Sequence, residues 1–318
     1  MDGFKVNEVD KIEILTLEDN YIDIASGDNS AIVSRPVPLK DMQLTNSILA
    51  EHGFSALVRC TMKDRTRTML FDFGFSPDIA ARNADALNID LAEVETATLS
   101  HGHIDHFGGL AEMAAKIGKR GLDLVVHPAA FKPNRYLLPA PGFKIGMPSP
   151  ERERVEEAGF RIVETKEPYS LLDGNVLFLG EIPRRTSFEK GMPTAFYEEN
   201  GKEIWDAIEE DTAVAMNIRG KGLVILSGCA HSGIINTVKY AQEVTGINKV
   251  HVVMGGFHLT GPLFEPIIDD TVKFMKEICP DYVIPTHCTG RKAAITFEKA
   301  MPGQFILNMS GTKLTFVA

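Results

Sequence analysis

Cysteine, positive charge and long apolar runs are all scarce in this chain of 318 residues. Its four cysteines, Cys60, Cys229, Cys279 and Cys288, form no Cys-x-x-Cys pair, so a reduced cytoplasmic setting is the simplest reading. No stretch of about 18 apolar residues occurs, which argues against a membrane-spanning helix. The opening Met1-Asp2-Gly3-Phe4-Lys5 lacks the basic and apolar regions of a secretory signal. Lysine and arginine total 33 against 43 aspartates and glutamates, a formal charge of -10, which argues against a general nucleic-acid surface. There is no internal repeat and no low-complexity segment. What the chain does have is 44% apolar residues, enough for a substantial core in one large or two small domains.

Histidine is sparse too, yet three of the 9 fall with an aspartate inside Ser100-His101-Gly102-His103-Ile104-Asp105-His106-Phe107-Gly108-Gly109. The apolar run Ala97 to Leu99 reads as a buried strand end, and Leu110 to Lys116 has helical spacing. Ligand-type side chains therefore sit where a strand hands over to a helix, the place where open α/β sheets put their sites. His101 and His103, one residue apart, can reach one metal ion from an extended turn. Asp105 and His106 follow closely enough to serve a second. Imidazole nitrogen suits zinc, iron, nickel and copper, and a mixed histidine and carboxylate shell also suits manganese.

The rest of the chain alternates strands and helices. Lys11 to Leu17 reads as a first strand, closed by Glu18-Asp19-Asn20. Residues 21–43 show little periodicity and read as a long loop of the kind that commonly carries function. Ser55 to Cys60 and Thr68 to Phe73 read as a hairpin, and Ser76-Pro77 as the start of a helix to about Leu87. Further strands are expected at Leu122 to Val126, Phe160 to Val163, Val176 to Leu179, Gly222 to Ser227, Val250 to Met254 and Asp281 to Pro285. Helices are expected at Ile234 to Val244, Asp269 to Ile278 and Arg291 to Met301. Residues 131–150 carry five prolines with Lys132, Arg135 and Lys144, and read as a solvated excursion or as a lid over an anionic substrate. Of the scattered histidines, His52 reads as structural or as a substrate contact, His127 as structural or pocket-lining, and His251 as structural. His258, at a strand end beside glycines, is a candidate for metal or substrate contact.

The segment Ser100 to Gly109 resembles the His-x-His-x-Asp-His motif of the metallo-β-lactamase-fold superfamily. Leu70-Phe71-Asp72-Phe73-Gly74 resembles the Asp-x-Gly strand end that precedes that motif, with Phe73 where the superfamily usually has threonine. The resemblance covers nearly the whole chain. It implies an α/β (α+β) fold, a four-layer αβ/βα sandwich, in a single domain over 1–318 with loop excursions near 21–43 and 131–150. It also implies two divalent transition-metal ions, zinc first with manganese or iron as alternatives, held by His101, His103, Asp105, His106, His231 and His287. Asp72 is expected behind these ligands, and Asp105 is also the expected catalytic residue. No histidine stands between His127 and His231 where many members place a ligand, and Glu181 is one substitute. Gly228-Cys229 stands where much of the superfamily has Gly-Asp. Either Cys229 takes the bridging position or His231 supplies the ligand, and His231 is preferred because imidazole reaches further and depends less on thiolate content. His287 fits the last ligand, with Cys288 beside it as a packing residue.

The stretches Ala50 to Ala56, Gly180 to Arg184, Gly228 to Gly233, Gly255 to Leu259 and His287 to Gly290 together are similar to one subgroup, the dihydropterin ribofuranosylaminobenzene phosphate synthases linked to methanopterin-type pterin biosynthesis. That resemblance implies an enzyme in which an aromatic amine displaces diphosphate from a pterin methyl carbon. The substrate is then a small anionic, phosphorylated, pterin-type molecule. A fold does not fix a reaction, so two alternatives stand beside this one. The first is a dinuclear metal hydrolase of phosphoesters, lactones or thioesters; the second, of another class, is a metal-binding sensor or oxidoreductase. Arg184, Arg291 and the helix N-termini after Ser232-Gly233 and Thr289-Gly290 are the expected phosphate partners. Tyr21, Phe131, Tyr136 and Phe143 are candidates to stack on a flat heterocycle. No nucleic-acid or membrane partner is expected, and a homo-oligomer stays open.

Overall fold

The computed structural model describes residues 4–37, 39, 42–44 and 47–318, so positions 38, 40 and 41 of the expected 21–43 loop lie outside the description. Apolar residues with a period of two build two large mixed sheets that face each other. The first has eight strands in the spatial order Phe160–Glu164, Leu122–Val126, Thr96–Thr98, Arg65–Phe71, Ser55–Met62, Lys11–Glu18, Lys313–Val317 and Val33–Ser34. The second runs Tyr169–Leu171, Val176–Phe178, Ala213–Ile218, Gly222–Ser227, Val250–Gly256 and Tyr282–Thr286, with Glu8–Val9 pairing beside Ala213–Ile218.

Alternation decides which layer each side chain enters. Ile12 and Ile14 point between the sheets with Val58, Phe71, Val214, Leu226 and Met254. Their neighbours Leu15 and Leu17 point the other way, onto Ala80 and Ala84 of helix Ile79–Ala86 and Met113 of helix Leu110–Ile117. On the second sheet, Leu223 and Ile225 face outward onto Ile235 and Val238 of helix Ile234–Thr245, Met275 of helix Ile268–Ile278 and Phe297 of helix Arg291–Ala300. Three apolar layers thus separate helix, sheet, sheet and helix, the four-layer sandwich that the motif resemblance implies. Among the described residues, no helix is long and apolar enough to cross a membrane.

Two local expectations are corrected. Ser76 caps no helix, because its N–H and its hydroxyl both donate to Glu51, and the helix begins later at Ile79. Residues 131–150 are not a loose excursion. Arg135–Ala140 and Phe143–Met147 form a hairpin that joins Ala195–Glu199 and Lys202–Trp205 in a four-stranded antiparallel sheet. Pro139 is tolerated within it because the register shifts between Leu137 and Ala140.

The topology fixes where a site can form. Arg65–Phe71, Thr96–Thr98 and Leu122–Val126 run parallel in one sheet, and Gly222–Ser227, Val250–Gly256 and Tyr282–Thr286 run parallel in the other. The segments following their C-terminal ends meet at one edge of the sandwich, where the chain leaves the ladders and side chains can converge.

The four-stranded sheet is anchored there by a buried ion network. Arg135 is fully buried, bonds Glu210 and the Ala129 carbonyl, and lies 3.0 Å from Asp206, which Lys132 also reaches at 2.9 Å. Burial, only partly offset by Arg135, pushes Glu210 up to about 7. Arg135→Met would leave two buried carboxylates without their guanidinium. It is expected to cost about 3–5 kcal/mol of unfolding free energy near pH 8. That loss should shrink towards about pH 5, where Glu210 takes up a proton; chemical denaturation at both pH values checks it.

Candidate metal centre

Asp72 ends strand Arg65–Phe71 in a left-handed conformation, φ 57°, that turns its carboxylate back over the neighbouring strand end. There it accepts hydrogen bonds from the Ser100 N–H and hydroxyl, both at 2.7 Å, and lies 2.7 Å from Nδ1 of His106. One buried carboxylate therefore ties two strand ends to the one-turn helix Ile104–Phe107 and fixes the ring orientation of His106. The tight turn between His101 and His103 requires glycine, since a Cβ on Gly102 would stand 2.1 Å from the Ala130 carbonyl oxygen and 2.6 Å from Arg135.

Around this turn the imidazoles crowd. Ring centroids lie 4.5 Å apart for His101 and His103, 4.2 Å for His101 and His106, and 4.8 Å from His231 to both His101 and His103. His106 stands 5.0 Å from His287, and His231 stands 4.3 Å from His258. Asp105 Oδ2 lies 3.2 Å from His287 Nε2 and 3.7 Å from both His106 and His52. Cys229 Sγ lies 3.1 Å from His106 Nε2. Donor atoms within 4.8 Å of one another form the groups His101, His103 and Asp105; His101, Cys229 and His231; Asp105, His106, Cys229 and His287; and Cys229, His258 and Cys288.

Electrostatics separates these rings by role. Burial holds His101 and His231 well below the ordinary histidine range and His103 down at about 3, so all three are neutral. Neutral imidazole is the form that ligates metal. Burial also opposes charge on His106, but Asp105 and Asp72 outweigh it and hold that group up at about 9. Burial would raise Asp105, yet His106 and His287 keep it well below the usual carboxylate range.

Several buried ring nitrogens have no hydrogen-bond partner among the described residues: both of His231, Nε2 of His103 and Nδ1 of His258. An unsatisfied buried polar atom costs roughly 1–3 kcal/mol. A converging set of such atoms with a carboxylate and a thiol fits a divalent cation. The donor chemistry suits zinc.

The expected residues are not all gathered here. His101, His103, Asp105, His106, Cys229, His231, His258 and His287 converge, with Asp72 directly behind. Glu181 does not join them: it is half exposed and its carboxylate faces His127 at 3.5 Å. Arg184 lies beside the cluster, donating to the carbonyls of Ala207 and His231. Arg291 lies apart, on the rim of a second cavity beyond His287. The N-terminus of helix Ile234–Thr245 is not open to a substrate, because the Glu189 carboxylate already accepts from the N–H groups of Ile235 and Asn236 at 2.8 and 2.9 Å. Three of the four aromatic expectations are corrected as well, while Tyr21 is exposed on the second cavity. Phe131 packs in the outer core, Tyr136 is buried against Phe196 and bonds Glu203, and Phe143 is exposed on the hairpin. The aromatic walls next to His231 and His258 are instead Phe188, Trp205, Phe257 and Phe264, around a cavity of about 430 Å³.

Three further residues shape the site, two of them, Asp19 and Asp211, without a motif to mark them. Asp19, fully buried after the first strand, accepts from the His287 N–H at 2.9 Å and from Asn308 at 2.6 Å, and so sets the position of His287. Asp211 accepts from the Ser232 N–H at 2.8 Å and holds the turn that presents His231. His52 stacks on His287 at 4.6 Å. Asp19 was visible only as a strand terminator, and nothing in the sequence marked Asp211.

Fold and donor cluster together define a class. The chain belongs to the metallo-β-lactamase superfamily, which matches its residues 50–186. Over 305 residues, 94% of this chain and 95% of the other, it is 32% identical to the 7,8-dihydropterin-6-methyl-4-(beta-D-ribofuranosyl)-aminobenzene-5'-phosphate synthase of Methanocaldococcus jannaschii. It is 31% identical to an uncharacterised protein of the same archaeon over 261 residues, 80% of this chain and 90% of that one. Among solved structures, Tm1679, a metal-dependent hydrolase of the β-lactamase superfamily, aligns with TM-score 0.73 and 26% identity, covering 96% of this chain and all of the other. The metallo-β-lactamase fold protein YhfI of Bacillus subtilis aligns with TM-score 0.50 at 10% identity, a likeness of fold alone.

The geometry yields a ranking of ligands. His103→Ala and His231→Ala are each expected to lower bound metal by about one ion per chain, whereas Glu181→Ala should leave the content unchanged. Elemental analysis of the purified variants after dialysis checks the order.

Proposed function

We propose that this chain is a two-metal enzyme that joins a pterin-type methyl carbon to an aromatic amine, with a phosphorylated leaving group, acting as one domain on small anionic substrates rather than on nucleic acid. The observation that carries the reading is the opening of the donor cluster, through His231 and His258, onto a cavity walled by Phe188, Trp205, Phe257 and Phe264. A flat heterocycle fits such walls. The name of the relative that shares 32% of its residues over nearly the whole chain supports the same substrate class.

In this reading His101, His103 and His231 hold one ion, Asp105, His106 and His287 hold the other, and Cys229 stands between the two sets as a shared donor. Zinc is the proposed metal. The ions, when bound, supply Lewis-acid stabilisation of charge on a leaving phosphate or on an attacking water. The protein's own residues do the rest. Asp72 holds His106 in one orientation. Asp19 and Asp211 fix the backbone turns that present His287 and His231. Arg184, at the His231 carbonyl, places a cation beside the aromatic cavity, where a diphosphate tail attached to a ring in that cavity would lie.

The second reading, a dinuclear hydrolase, is favoured by the likeness to Tm1679 over 96% of the chain. A substrate comparison separates the two. The metal-loaded enzyme is expected to consume a pterin methyl diphosphate only when an aryl amine is present, and to hydrolyse neutral lactones and thioesters poorly. Fast lactone turnover with indifference to inorganic phosphate would establish the hydrolase instead. Trp205→Ala is expected to raise KM for the pterin about tenfold with a smaller change in kcat, because it removes a stacking wall that binds ground and transition states alike.

A further inference from the structure

Cys288 belongs to neither proposed metal set, yet it sits against Cys229, which stands between the two. Cys229 follows strand Gly222–Ser227, and Cys288 follows strand Tyr282–Thr286. Strand Val250–Gly256 runs between those two strands, but it ends in glycine, and that is what lets the thiols meet. A Cβ on Gly256 would stand 2.6 Å from Cys288 Sγ and 3.2 Å from Cys229 Cα. The Cys288 thiol donates to the Cys229 carbonyl at 3.6 Å. Both sulfurs and a ring nitrogen of His258 lie within 4.8 Å of one another.

The other two cysteines are placed differently. Cys60 is buried between the sheets in strand Ser55–Met62, and Cys279 is exposed after helix Ile268–Ile278. Among the described residues, neither shares a donor group with another cysteine. Cys229 and Cys288 are buried as well, but His258, in reach of both sulfurs, lines the aromatic cavity. A small oxidant entering that cavity therefore comes within one side chain of the pair. A disulfide holds its sulfurs about 2 Å apart. Rotation about the Cα–Cβ bonds of the two cysteines can close that remaining gap.

We propose that Cys229 and Cys288 are an oxidation site, which a hydroperoxide closes to a disulfide when metal is absent and which metal keeps open by holding Cys229. The proposal rests on the two-metal reading of the cluster and is independent of the synthase chemistry. The Cys288 sulfur attacks one oxygen of hydrogen peroxide and the O–O bond breaks. The other oxygen leaves as water with the thiol hydrogen, and Cys288 becomes a sulfenic acid. The Cys229 sulfur then attacks the Cys288 sulfur, the S–O bond breaks, and the hydroxyl leaves as a second water with the Cys229 thiol hydrogen. Two thiols are thereby oxidised to one disulfide, and one peroxide is reduced to two waters. A disulfide sulfur is no longer a thiolate ligand, so closure removes the donor that the two metal sets share. Metal and disulfide compete for Cys229, and each disfavours the other.

The test uses the full chain with Cys279→Ser, which silences the exposed thiol, loaded with zinc and treated with hydrogen peroxide with and without a chelator. The expected product has lost the mass of two hydrogens and yields a peptide linking Cys229 to Cys288. It should form about tenfold faster or more with the chelator. After zinc is returned it should hold about one ion per chain fewer than the reduced protein, and dithiothreitol should restore the difference. Cys288→Ser and Cys288→Ala, two replacements in case one folds poorly, should each keep both ions and give no linked peptide. Oxidation of Cys229 to a sulfinic acid without the linked peptide overturns the proposal. So does a link that forms as fast with zinc as without it. Three zinc ions in the parent and two in the Cys288 variants also overturn it, by making the thiol pair a metal site. The two levels fail separately. A reduced protein that binds no zinc fails the two-metal reading, whereas one that binds two ions and never forms the link fails this proposal alone.

Discussion

Everything at the functional edge of this protein depends on crowding neutral imidazole rings into a buried space with few hydrogen-bond donors for them. Buried polar atoms ordinarily find partners, and a fold that leaves both nitrogens of His231 and one of His103 unpaired among the described residues carries a cost in its metal-free form. A divalent cation bound there would offset that cost, so metal affinity and folding stability would be linked. The supporting structure has the same logic. Asp72, Asp19 and Asp211 each spend a buried carboxylate on holding backbone N–H groups or a ring in place, so that the ligand side chains need not find their positions unaided.

The two sheets contribute unequally to this arrangement. The first supplies His101, His103, Asp105 and His106 in one short turn, so their mutual geometry is local. The second supplies Cys229, His231, His258 and His287 from three separate strand ends. Their convergence depends on the parallel register of Gly222–Ser227, Val250–Gly256 and Tyr282–Thr286. A slip in that register would displace half of the cluster while leaving the other half intact, since a shift by one residue turns every side chain to the opposite face.

That division also explains what the sequence disclosed. The His101 to His106 turn was legible because its spacing is itself the geometry, whereas His231 and His287 were expected only through the resemblance to the superfamily, at strand ends where it places ligands. Layer assignment was legible from alternation in strands such as Lys11–Glu18. Contacts made by residues distant in the chain were not. Glu189 fills the N-terminus of helix Ile234–Thr245 from 46 positions away, which no local pattern encodes. The prolines of residues 131–150 suggested an irregular segment, but pairing with Ala195–Glu199 supplied a ladder and a register shift that accommodates Pro139. Glu181 looked like a stand-in ligand by position alone, and the strand end turns it towards His127 instead. Trp205, the one tryptophan of the chain, gave no sign of its place beside the site because its strand reaches the cavity only through the four-stranded sheet.

The central claim is that this donor cluster is a two-metal centre, and anomalous diffraction from crystals grown with zinc tests it most directly. The expected result is two peaks, each roughly 2 Å from its ligand atoms, one among His101, His103 and His231 and the other among Asp105, His106 and His287. No peak in the cluster, or zinc found instead at the acidic group Asp206, Glu209 and Glu210, would contradict the account.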